Sequence, residues 1–170
     1  MTLEDLTTIS NLVSGIAVII SLFYLAYQIK QASQIERAAG QRDILNQLRS
    51  WVELTMNDPE FFNVLRRGTH DWNDLSVSEK EQFHSWLLSI LLLAEEAFYM
   101  HNDKFISTAT FHGIEKAALA IVATPGGQVW WQFMRPILGK DISEHIQAEL
   151  DKRPADAPHW SDLLPHWAKS

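Results

Sequence analysis

The chain has 170 residues, 46% of them apolar and 21% charged, which is enough apolar surface for a packed core and rules out a disordered chain. The formal net charge is −7, and no basic cluster is present to neutralise phosphates, so nucleic acid is not an expected partner. With no cysteine at all, disulfides, thiol nucleophiles, iron–sulfur clusters and thiolate zinc sites are excluded together.

No charged residue occurs between Asp5 and Lys30. That stretch, LTTISNLVSGIAVIISLFYLAYQI, matches the roughly 20 mostly apolar residues needed to cross a bilayer core. Tyr24 and Tyr27 sit near its Lys30 end, where interfacial aromatics collect. A cleavable signal peptide is the first alternative, but it wants a basic start and a small-x-small cleavage site, and here Glu4 and Asp5 precede the run. A buried core helix is the second, favoured by Thr7, Thr8, Ser10, Asn11 and Ser14 in the first half. The expectation is a transmembrane anchor over residues 1–30. Lys30, Arg37 and Arg42 follow it and no Lys or Arg precedes it, so the positive-inside rule sets the body in the cytoplasm and the N-terminus outside the inner membrane. Ser10, Ser14, Ala17 and Ser21 form a small-residue face on which another span, or a second copy, can pack closely. The run has no His, Asp, Glu, Lys or Arg, and hence no axial ligand or proton relay.

No proline interrupts the chain before Asn57, and apolar residues at Ile44/Leu45, Leu48 and Trp51/Val52 keep helical spacing. The first helix is therefore expected to continue beyond the anchor, with Gly40 as the place for a bend or break. Asp58-Pro59 caps and restarts the chain as a short helix to Arg67, ended by Gly68, and a polar loop with Trp72 follows. Ser76-Val-Ser-Glu79 is a capping box opening a central helix, about Val77 to His101, with Phe83, Trp86, Leu87, Ile90, Leu91, Ala94 and Phe98 on one face. Asn102-Asp103 makes a turn before a helix at about Thr108 to Ala123. Thr124-Pro125 then caps a helix stopping near Pro136, and Asp141 to Glu144 repeats the capping pattern for a helix to about Lys152. No strand-like alternation occurs. The expected fold is all-α: a transmembrane helix continuing into a bundle of about five further helices over residues 31–153, with a Pro/Trp-rich tail at 154–170.

The segments ISNLVSGIAVIISLFYLAYQIKQ, NDPEFFNVLRRG, SVSEKEQF and PGGQVWW together resemble a family of uncharacterised bacterial single-span membrane proteins of about this length. The resemblance covers Leu6 to Leu150. It implies an N-terminal anchor and a helical body, and it brings no activity and no site residues.

Candidate chemistry is sparse. Glu81 and His84 form one Glu-x-x-His, and His112 and Glu115 the reversed spacing, where a di-iron bundle needs two such motifs and two more carboxylates. Glu95 and Glu96 are adjacent and so point about 100° apart on a helix, which keeps them from sharing one pocket. Thr124-Pro-Gly-Gly127 opens a helix but lacks the Lys-Ser/Thr of a phosphate-binding loop. No catalytic, metal or cofactor set is expected. Of seven tryptophans, Trp130, Trp131, Trp160 and Trp167 lie late in the chain and are the expected partner contacts of the body and tail. One of the adjacent pair Trp130 and Trp131 is expected at a boundary. The expected function is a non-enzymatic, membrane-anchored accessory subunit of a larger membrane complex, of photosynthetic or respiratory type. The alternatives are a homodimeric signalling module and a helical-bundle metal or carboxylate enzyme.

Overall fold

The computed structural model describes residues 3–56, 58–154 and 157. All regular structure among them is helical: α1 (Leu3–Met56), α2 (Pro59–His70), α3 (Val77–Asn102), α4 (Thr108–Val122), α5 (Pro125–Met134) and α6 (Lys140–Asp151), with a 3-10 turn at Trp72–Asp74. The chain divides into two compact units, Met1–Ala39 and Gly40–Ser170. The described residues of the first, 3–39, all lie in α1. The second is the body, formed by the last turns of α1 and the five further helices.

The helix starts follow from local chemistry. The Asp58 carboxylate accepts from the Glu60 and Phe61 amides at 3.0 and 3.1 Å, with Pro59 in the first position of α2. At α3 the Glu79 carboxylate takes the Ser76 amide at 2.8 Å while the Ser76 hydroxyl takes the Glu79 amide at 3.4 Å, the reciprocal capping box. Arg67 closes an ion pair on the same Glu79 carboxylate. The Ser76 backbone bond first, then the Ser76 hydroxyl and Arg67, hold Glu79 below the usual carboxylate range despite some desolvation. Thr124 caps α5 through the Gly127 amide at 3.2 Å, with Pro125 next in line.

The core lies around α3. Phe83, Leu87, Ile90, Leu91, Ala94 and Ala97 are all buried. Helix α4 packs along α3; α5 packs against α2, α4 and the 3-10 turn, and α6 rests on α4. From α1 the body takes Ile44 and Trp51, both buried, and Trp51 stacks on Trp86 at 5.1 Å between centroids. The apolar face expected on α3 is the face that is buried, except that Phe98 is only half-buried.

Three local expectations are corrected. Gly68 does not end α2: it lies inside the helix and is buried. A Cβ there would meet Phe83 Cδ2 at 2.6 Å, and a Cβ on Gly126 would run into the Gly68 carbonyl oxygen. The two glycines therefore let the α2 and α5 backbones touch, and α2 ends at Asp71 instead. Gly40 is not a break either: it lies within α1, where a Cβ would meet Met100 Cε at 2.8 Å. Asp141 does not cap α6. The N-cap is Gly139, without a side-chain cap, and the Glu95 carboxylate from α3 crowds the place a side chain at Gly139 would take. That puts a negative group beside the N-terminus of α6, where the helix dipole favours it.

Candidate functional site

Along residues 11–30 every side chain is exposed. Phe23 is 75% exposed and Leu12 65%, values that an apolar side chain of a core helix does not show. An 18-residue window of this helix has mean hydropathy 2.0 with none of it buried, so it is long and apolar enough to cross a membrane. Ser14, Ala17 and Ser21 are exposed, and the side chain of Ser10 lies outside the described residues. The Ser21 hydroxyl donates to the Ala17 carbonyl of its own helix at 2.8 Å, which satisfies its donor without water. Exposure is uniform around residues 11–30, so among the described residues nothing sets the small-residue face apart from the others.

Trp130 and Trp131 require a correction. Both are buried, 1% and 3% exposed, and neither stands at a boundary. Their positions on α5 do point apart, but α5 is covered on more than one side, by α2 and the 3-10 turn and by α4. Each indole finds its own acceptor: Trp130 Nε1 donates to His84 Nδ1 at 3.0 Å and Trp131 Nε1 to Gln147 Oε1 at 2.9 Å. They hold the body together and are not available as its partner surface. On the same stretch the exposed apolar side chains are Phe133 and Ile137. Trp160 and Trp167 lie outside the described residues.

The same hydrogen bond absorbs the Glu81/His84 motif, since His84 Nδ1 serves Trp130 while Glu81 stays exposed. Glu95 and Glu96 diverge as helix geometry requires, Glu95 toward Gly139 and Glu96 toward Gln47, whose amide it accepts at 3.3 Å. At Thr124 to Gly127 the Thr124 side chain already occupies the helix start, and Gly126 and Gly127 are buried against backbone. Among the described residues no group of three or more His, Asp or Glu side chains is arranged to hold a metal ion.

One polar cluster emerges that local spacing showed only in part. Glu115, on α4, is buried and accepts from both sides: His112 Nδ1 lies 2.8 Å from Oε2, and His145 of α6 pairs with Oε1. The rings pack around Phe98 and Phe111, with His101 stacked on Phe111 at 4.9 Å and its Nδ1 buried without a partner among the described residues. Burial pushes the Glu115 carboxyl up, but the hydrogen bonds and charges of His112 and His145 outweigh it and hold the group below its ordinary value of 4.5. An ionised carboxylate thus clamps α6 to α4. His112 was visible as the i−3 neighbour of Glu115; His145, 30 residues further on, has no local signal.

No family model, no curated protein and no solved structure matches the chain. The functional reading therefore rests on the two units as they stand.

Proposed function

We propose that the chain is a membrane-anchored, non-enzymatic accessory or scaffold subunit, held in the inner membrane by residues 1–30 and carrying its helical body on the cytoplasmic side. The observation that carries this is the wholly exposed apolar helix surface of residues 11–30. In water, leaving such a surface uncovered costs about 25 cal/mol per Å², and no described residue buries it. A bilayer does. The Ser21 hydroxyl bonded to its own backbone suits that environment, and Lys30, Arg37 and Arg42 after the apolar run support the cytoplasmic placement of the body. The resemblance to bacterial single-span membrane proteins is part of the same proposal.

Fractionation tests the anchor: the full chain should stay in the membrane through alkaline carbonate, and extraction into the soluble fraction would refute it. A reporter active only outside the cytoplasm, fused after Ser170, should be silent. Subunit status is tested by purification in mild detergent followed by mass spectrometry, where a constant set of foreign subunits is expected and a lone self-dimer would favour the signalling module. Ala17→Leu with Ser21→Leu should weaken association more than Val18→Leu with Phe23→Leu, because bulk on a small-residue face keeps helix backbones apart. Equal retention would reduce the span to a tether.

A further inference from the structure

The body carries a groove between the last turns of α1 and the first half of α3. One hollow, about 770 Å³, is lined by Ser50, Trp51, Glu53, Leu54 and Leu93 among others. It shares Leu54 and Ser89 with a second, about 470 Å³, bounded by Asp58, Phe61, Glu81 and Trp86. The stacked rings of Trp51 and Trp86 lie where the two meet. Three features of this groove point to one kind of occupant.

The first is apolar surface without cover: Leu54 is 63% exposed beside the tryptophan stack. The second is charge. Among the described residues, the lining of the two hollows includes the carboxylates of Glu53, Asp58 and Glu81 and not one Lys or Arg. Asp58 also caps α2. The third is an unmet donor. Trp51 Nε1 donates to the Trp86 carbonyl at 3.3 Å, whereas Trp86 Nε1 is buried with no acceptor among the described residues, although Trp86 is only 5% exposed. Buried donors of this kind are rare in finished packing.

We propose that this groove is the docking site for a cationic amphipathic helix of a partner protein. An apolar stripe at i, i+3/i+4 and i+7 would lie over Leu54, Phe61 and the tryptophan stack, with Lys or Arg on its flanks facing Glu53 and Glu81. Docking would have to turn the Trp86 indole to bring Nε1, buried in the free chain, within reach of a side-chain amide or hydroxyl of the helix. An anionic lipid surface is repelled by the same carboxylates, and a second copy of a chain with net charge −7 is a poorer match than a basic partner. The proposal deepens the reading of the chain as a subunit and rests on it, but its readout is binding at the body, which neither reports on membrane insertion nor needs a native complex.

The absence of cysteine permits a single reporter. Full-length chain carrying Ser50→Cys, labelled with an environment-sensitive fluorophore and held in nanodiscs of zwitterionic lipid, is titrated with a synthetic 18-residue Leu/Lys amphipathic helix. Empty nanodiscs give the peptide–lipid background. A saturable blue shift is expected with the Lys peptide and not with a counterpart in which every Lys is Glu. Glu53→Gln with Glu81→Gln, both at exposed positions and checked for an unchanged helical circular dichroism signal, should weaken binding about tenfold and flatten its salt dependence. An equal response to the two peptides, no saturable response, or an affinity unmoved by the double substitution would overturn the proposal. Loss of the chain from carbonate-washed membranes would instead overturn the anchor and leave this result standing.

Discussion

Two stretches of nearly the same apolar character meet opposite fates in this molecule. Ile16 to Leu25 and Trp86 to Ala94 are both runs of Ile, Leu, Val and aromatic residues broken by one serine. In the first, every side chain is exposed; in the second, Trp86, Leu87, Ile90, Leu91, Leu93 and Ala94 are buried. Hydrophobicity alone does not decide between them. What differs is the surroundings in sequence. The second run is preceded by a capping box and followed by Glu95, Glu96 and a turn, so helices on either side fold back onto it. The first has no turn within reach, and its helix simply goes on.

That comparison yields graded tests, since changes inside the body should be costly and changes in residues 11–30 should leave the body's stability untouched. The largest effect is expected for Gly126→Ala, whose Cβ would collide with the Gly68 carbonyl. The α2–α5 contact must open, and a loss of more than about 3 kcal/mol is expected in urea unfolding of the body. Gly15→Ala meets nothing within 4 Å and should leave that transition where it was. A large shift for Gly15→Ala would mean that the exposed helix packs on something in the folded chain.

Next is Trp51→Ala, which removes a buried indole and its stack on Trp86. About 3 kcal/mol should be lost, while Phe23→Ala, on the exposed run, should lose nothing measurable by the same melt. Glu115→Ala comes third, at about 1–3 kcal/mol, because it leaves His112 and His145 without their acceptor. The sign of its pH dependence is fixed. The folded-state pKa of Glu115 lies below the ordinary 4.5, so its contribution is complete above that value and is lost as pH falls through the folded pKa. Acid titration followed by circular dichroism should show a shallower acid limb for Glu115→Gln than for the parent chain. An unchanged limb would mean that the clamp carries no linkage. The smallest effect is that of Thr124→Ala, about 1 kcal/mol from a lost cap.

Most of the helix boundaries were legible because their causes are local. Asp58-Pro59, Ser76 to Glu79 and Thr124-Pro125 each satisfy backbone amides within three residues, and a sequence displays such chemistry openly. The misreadings share a different character. Gly68 looks like a stop signal until Gly126 is known to press against it from another helix. The N-cap of α6 reads as Asp141 until Glu95, far earlier in the chain, is found beside Gly139. Trp130 and Trp131 seem unable to share a core until α5 proves to be covered on more than one side. His145 escapes notice as a partner of Glu115 for the same reason. In each case the deciding neighbour is remote in sequence, where periodicity and capping rules have no reach.

The near-parallel stack of Trp51 on Trp86, at 5.1 Å and 16° between ring planes, has an optical consequence. Two indoles held that close couple their electronic transitions, so the pair should give a split band in the far-ultraviolet circular dichroism spectrum that isolated tryptophans lack. The chain thereby carries its own dye at the floor of the groove. The band should vanish in Trp51→Phe while the helical signal persists, and any occupant that parts or twists the two rings would register as a change in that band in a protein bearing no label.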